Sequence, residues 1–226
     1  MNKITYRIKY SKKGLARFTS HLDVLRMLTR TLRRTGLPLA YSAGFNPKPI
    51  LSFGPPLPLG VESEAEYFDL ELTCDLPEEE VKKALREQLP PGMEVETVEK
   101  LAPKAPSLMA ATTSISYQFL LRRRTPLTDD EVKAWFASLW SRPELMVTKM
   151  TKQGQKVVNL RPLWKGYELK IQDDGLILFD FEVAFGPQGT IRPDDFDSLL
   201  DAAFQIEQRK RTAVSFKAGE RHRKVF

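Results

Sequence analysis

The succession of strand and helix signals predicts an α+β fold made of two ferredoxin-like (βαββαβ) halves with antiparallel sheets. The alternative is one larger α+β domain with a continuous sheet. Three observations carry this expectation. Short stretches of apolar/polar alternation recur along the chain, capped helical stretches fall between them, and the order strand, helix, strand, strand, helix, strand of the first half recurs in the second with extra strand candidates between its helices. The halves are expected at 1–100 and 113–226, with 101–112 as a linker marked by the prolines of LAPKAP. No sequence repeat at a fixed period accompanies the recurrence, so it rests on element order alone.

In the first half, Ile4, Tyr6, Ile8 and Tyr10 alternate with Thr5, Arg7 and Lys9, the pattern of a half-buried strand. SKKGL is a turn. Ser20 then caps a helix, with Asp23 favouring its first turn and Leu25, Leu28 and Leu32 forming one apolar stripe. Gly36 and Pro38 stop it. Leu37 to Ser42 reads as a strand, and Ala43 to Gly60 as a long loop braced by prolines. Glu66 to Thr73 alternates again. Pro77 opens a helix whose glutamates suit its N-terminal dipole, and Met93 to Val98 is a strand.

In the second half, Ser114 to Leu121 is a strand and Thr128 to Leu139 a helix capped by Thr128. Strands follow at Leu145 to Lys152, Lys156 to Leu160, Tyr167 to Gln172 and Leu176 to Phe185. A helix from Pro193 to Phe204 precedes a closing basic strand from Ile206 to Phe216.

Composition bounds what such a chain can do. With 42% hydrophobic residues in 226 it can bury a core, and no apolar run approaches the ~18 residues of a membrane span. MNKITYRIKY lacks the apolar middle of a signal peptide, so a cytoplasmic location is the natural expectation. One cysteine, Cys74, excludes an intrachain disulfide and a multi-thiolate metal site; it reads as buried or neutral. There is no GxxxxGK[ST], GxGxxG after a strand, HExxH, GxSxG or CxxxCxxC, so the corresponding nucleotide, protease, hydrolase and cluster chemistries lack their marks. No cofactor or metal is expected.

Charge is concentrated. Met1 to Gly60 holds eleven Lys/Arg against one acid, Asp23, whereas Val61 to Lys100 holds thirteen Asp/Glu and four Lys/Arg. On the first helix Arg26, Arg30, Arg33 and Arg34 fall within roughly a 100° arc opposite the leucine stripe. Guanidiniums converging in this way clamp phosphate oxygens; the alternative is a solvated face. The sequence GFNPKP offers Phe45 for stacking, Asn46 for hydrogen bonding and Lys48 for phosphate, on a loop whose prolines lower the entropy cost of binding. It also reads as a connector anchored by Phe45 and Phe53. Arg17 adds to the basic face. His21, at the start of the arginine helix, is a candidate acid/base or a capping residue. The basic tail from Arg209, with Lys210 and Arg211, extends the positive footprint, and His222 lies within it.

The stretches RFTSHLD, YSAGFNPKP, LSFGPPLPLG and ESEAEYFDLEL resemble the radical-SAM-linked protein family, a bacterial domain of unknown function found alone or attached C-terminally to a radical SAM enzyme. NLRP (Asn159 to Pro162) and Arg211-Thr212 extend the resemblance into the second half. Residue by residue it marks Arg17, Phe18, Ser20, His21, Asp23, Gly44 to Pro49, Ser52, Leu59 and Gly60. It implies a radical SAM enzyme as partner, while the single cysteine leaves the cluster to that partner. A further similarity, confined to element order and the Gly/Pro-rich stretch, is to CRISPR repeat-RNA endonucleases. The leading expectation is a non-catalytic module that binds RNA, such as tRNA or rRNA, beside a radical SAM enzyme. The alternatives are a scaffold for an acidic protein surface and a metal-independent ribonuclease using His21.

Overall fold

The computed structural model describes residues 3–151, 154–200 and 202–217. The chain is α+β with antiparallel strand pairing and divides into two compact units, Met1–Thr112 joined by Phe216, and Thr113–Ser215.

The first unit runs β1 (Ile4–Lys12), a 3-10 turn (Gly14–Phe18), α1 (His21–Arg34), β2 (Leu51–Phe53), β3 (Glu62–Leu72), α2 (Glu78–Arg86), β4 (Met93–Lys100) and a short α3 (Leu108–Ala111). Its strands lie in the order β2-β3-β1-β4, each pair antiparallel. Register places Ile8 between Phe68 and Val98, so the alternate residues Tyr6, Ile8 and Tyr10 share a face with Phe68, Leu70 and Leu72. Against that face α1 brings Val24, Leu28 and Leu32, and α2 brings Val81 and Leu85. The other face carries Arg7, whose guanidinium donates to both carboxylate oxygens of Asp69 (2.9 and 3.0 Å) and to the Pro106 carbonyl (3.1 Å).

The second unit repeats the succession with β5 (Thr112–Arg123), α4 (Asp129–Ser141), a separate hairpin of β6 (Met146–Thr151) and β7 (Gly154–Asn159), then β8 (Trp164–Ile171), β9 (Ile177–Gly186), β10 (Gly189–Thr190), α5 (Pro193–Leu200) and β11 (Phe204–Phe216). The main strands are ordered β8-β9-β5-β11, matching the order of the first unit element for element. Its core is aromatic: Phe119, Phe136, Phe179, Phe181, Phe196 and Phe204 are buried, with ring centroids as close as 4.5 Å.

Several expectations are corrected. Leu37 to Ser42 is not a continuous strand; it makes isolated bridges at Leu39 and Tyr41, because Pro38, Pro47 and Pro49 remove donors a ladder needs. The expected loop from Ala43 to Gly60 contains β2. On α1 the buried stripe is Val24, Leu28, Thr31 and Leu32, with Leu25 only half-buried at its edge. The expected linker is packed: Ser107 caps α3, and Leu108 and Ala111 are fully buried. α5 ends at Leu200, and Phe204 opens β11. Cys74 is exposed. The end of the basic tail, 218–226 with His222, lies outside the described residues. No helix among the described residues is long and apolar enough to cross a membrane.

Candidate functional site

Five of the eleven cations in the first sixty residues, from Lys3 through β1 to the turn after it, pair with the acidic stretch that follows. Lys3 meets Glu71 (3.1 Å), Arg7 meets Asp69 (2.9 Å), Lys9 meets Glu96 (3.1 Å), Lys13 meets Glu64 (3.4 Å) and Arg17 meets Glu62 (3.2 Å). Lys12 donates to the Thr19 carbonyl at 2.7 Å. Among the described residues, no carboxylate comes within ion-pair reach of Arg30, Arg33 or Lys48. The positive charge left over is therefore that of α1 and of the loop that follows it.

α1 begins in a reciprocal capping box. The Ser20 hydroxyl accepts from the Asp23 N–H at 3.2 Å, and the Asp23 carboxylate accepts from the Ser20 N–H at 3.2 Å and from its hydroxyl at 2.6 Å. Those bonds, the hydroxyl first, hold the Asp23 carboxyl below its ordinary value, with the nearby Arg26 adding to the effect. Arg26 reaches Asp23 at only 3.8 Å, an exposed pair of small energetic weight. Arg34 donates to the Gln88 side chain (3.2 Å) and carbonyl (3.0 Å) and to Thr31 (3.3 Å), all neutral acceptors, so its charge stays uncompensated.

Arg26, Arg30 and Arg34 line one side of a cavity of about 500 Å³, and Gln88 and Pro90 line the other. Arg33 is exposed but does not line it. The predicted arc of four guanidiniums thus resolves into a row of three facing a wall and one beside it. Gln88 and Pro90 carried no sequence signal, since their place follows from β4 lying against β1. Behind them, Gly92 at φ 84° accepts from the Lys13 N–H at 2.8 Å, and a Cβ there would stand 2.7 Å from the Lys13 carbonyl oxygen.

The GFNPKP segment is the tip of a hairpin. Ser42 N–H donates to the Lys48 carbonyl (2.9 Å), Lys48 N–H to the Ser42 hydroxyl (3.2 Å) and Ile50 N–H to the Ala40 carbonyl (2.9 Å). Ala40 N–H is tied to the Glu71 carbonyl (2.9 Å), so the stem is fixed to β3. Gly44 sits at φ 112°, a conformation suited to glycine. Asn46 and Lys48 are exposed, and Phe45 is fully so. Of the two expected anchors only Phe53 serves, packing on Phe68 and edge-on to His21 (5.2 Å). His21 itself is exposed.

Around the start of α1 an apolar patch went unread in the sequence. Leu15, Phe18 and Leu22 are exposed, and the Gly60 N–H donating to the Arg17 carbonyl (2.9 Å) brings exposed Leu59 to the same segment. Arg17 lies over the Phe18 ring at 4.8 Å. A signal existed: at about 100° per residue Leu22 falls about 40° from Arg26, on the arginine side of the helix.

The tail residues lie elsewhere than expected. Arg209 pairs with Asp197 (2.6 Å) over the Phe119 ring, and Arg211 is 1% exposed over the Tyr117 ring at 5.7 Å. Strand alternation puts the half-buried Lys210 on the opposite sheet face. Both guanidiniums are held by the second unit's own packing. No group of three or more His, Cys, Asp or Glu among the described residues is placed to hold a metal ion.

A family profile described as "uncharacterized protein conserved in bacteria" matches residues 5–193. No curated protein matches the chain in sequence. Among solved structures, a chain of a Cbf5-Nop10-Gar1 complex superposes with a TM-score of 0.53 at 13% identity, covering 92% of this chain and 48% of that one. A chain of the archaeal box H/ACA sRNP Nop10-Cbf5 complex gives 0.51 at 14%, covering 95% and 50%. The likeness is one of fold, and this chain spans about half the length of the chains it matches.

Proposed function

The chain belongs to this bacterial family, DUF2344, and we propose that it is a non-catalytic module that binds RNA through α1 and the GFNPKP hairpin. The observation that carries the reading is the charge left over: Arg30, Arg33 and Lys48 stand exposed with no carboxylate in ion-pair reach among the described residues, and Arg34 meets only neutral acceptors. An array of guanidiniums with a single acid, Asp23, at its end is suited to holding phosphate oxygens bidentately. The fold shared with a protein of the archaeal box H/ACA sRNP, by its name a ribonucleoprotein, supports the same class of ligand. tRNA and rRNA are the candidate RNAs.

The test is binding of total bacterial RNA across a salt series. The double variant Arg30→Glu/Arg33→Glu should bind at least tenfold more weakly than the parent and lose about two units of salt slope. Equal retention of parent and variant at every salt concentration overturns the reading.

A partner protein is the second part of the proposal. The exposed Leu15, Phe18, Leu22 and Leu59 form an apolar patch that a free-standing RNA binder does not need. We place there the contact with a radical SAM enzyme, which would act on the RNA this module holds. If that enzyme co-purifies after nuclease treatment, the contact is direct; if it is lost with the RNA, the patch has another use.

A further inference from the structure

We propose that the RNA taken by this face is single-stranded at its point of contact, with an unpaired base stacked on Phe45 and successive phosphates along Arg26, Arg30 and Arg34. The inference rests on the RNA reading above and narrows it to one structural class of RNA.

Phe45 is the first ground. It is the most exposed of the large apolar side chains among the described residues, its whole ring in water. The stem beneath it is closed by the Ser42, Lys48 and Ile50 hydrogen bonds and fastened to β3 through Ala40, so the ring is carried on an ordered tip. No ring contact among the described residues involves Phe45. A flat apolar face presented this way fits the face of a base. In a duplex both faces of each base are already stacked, and the edges open to a groove offer no π-face. Only an unpaired base can meet Phe45 flat on.

The arginine row is the second ground. At i, i+4 and i+8 the three residues step along α1 by about 6 Å each, a spacing close to that of successive phosphates on one strand. They line a concavity of about 500 Å³ walled by Gln88 and Pro90. That is the scale of a small-ligand cleft.

Anisotropy titrations with a 15-nucleotide unstructured RNA, the same sequence as a blunt duplex, and a stem-loop decide the matter at one fixed salt concentration. The proteins are the parent, Phe45→Ala, Phe45→Trp and Arg30→Glu/Arg33→Glu; Phe45 is fully exposed, so its variants should fold, which circular dichroism checks. The parent should bind the single strand and the stem-loop at least tenfold more tightly than the duplex. Phe45→Ala should lose about tenfold on the single strand and nothing on the duplex, and Phe45→Trp should restore the preference. Equal binding of single strand and duplex, or a Phe45→Ala protein indistinguishable from the parent, overturns this inference and leaves the RNA reading standing. If the parent binds none of the three RNAs even at low salt, both fall together.

Discussion

The two first helices, α1 and α4, start alike and are used differently. Each opens in a capping box, Ser20 with Asp23 and Thr128 with Glu131. Each lays an apolar stripe on an antiparallel sheet of the same strand order. α1 then turns four arginines to solvent, whereas α4 begins with Asp129, Asp130 and Glu131 and pairs its exposed Lys133 with Asp130 (3.2 Å). Three arginines of the second unit go to rings, Arg161 over Trp140 (4.0 Å), Arg209 over Phe119 and Arg211 over Tyr117, while Arg122 pairs with Glu207 (2.9 Å). The same residue type serves as a surface cation on α1 and as a packing element at these three positions. Counting basic residues therefore does not locate a binding surface; what counts is which of them are left without a carboxylate or a ring.

The sharpest way to break this contrast is to remove packing from the second unit. Phe136 is fully buried, with Phe179 at 4.8 Å, Trp135 at 4.9 Å and Phe204 at 5.3 Å. Phe136→Ala should cost about 3–5 kcal/mol in urea unfolding; a loss below ~1 kcal/mol would mean that the aromatic cluster is not what holds this unit. A smaller effect is expected from the caps, where the units should behave alike. Ser20→Ala and Thr128→Ala should each cost about 1 kcal/mol, and unequal losses would show that the shared opening is only formal. Both box carboxylates are held below their ordinary values, Asp23 chiefly by the Ser20 hydroxyl and Glu131 chiefly by the Thr128 N–H. Their contribution is thus fully present above those ordinary values, 3.8 and 4.5, and is lost as pH falls through the lowered ones. NMR titration of the two carboxyls checks the direction. The smallest effect belongs to Arg33→Ala, which should change stability by no more than about 0.5 kcal/mol. A larger loss would make the arginine face structural.

Much of the architecture was legible because periodicity reports which side of an element is apolar. The alternation at Ile4 to Tyr10 and the caps at Ser20 and Thr128 placed their elements correctly. Boundaries set by proline or by tertiary contact were harder to read. Leu37 to Ser42 has strand-like residues, yet Pro47 and Pro49 opposite it cannot donate, so the pairing breaks into bridges. Arg7 and Arg211 read as outward-facing because alternation marks a charged residue as exposed. Only the fold supplies Asp69 to the one and the Tyr117 ring to the other. The candidate site was half visible: the arc of arginines follows from helix geometry, and Phe45 from its braced loop. Its far wall, and the pairing that strips charge from β1, depend on strands more than fifty residues away.

Gly92 ties these threads together. A side chain there would strike the Lys13 carbonyl and the Ala16 methyl, the segment from which α1 departs. At this position a hydrogen atom stands where other residues carry carbon, and any larger group would have to displace the segment that leads into α1. A substitution there would shift the base of the helix and spare every arginine on it, so a change far from a guanidinium can still move the whole row.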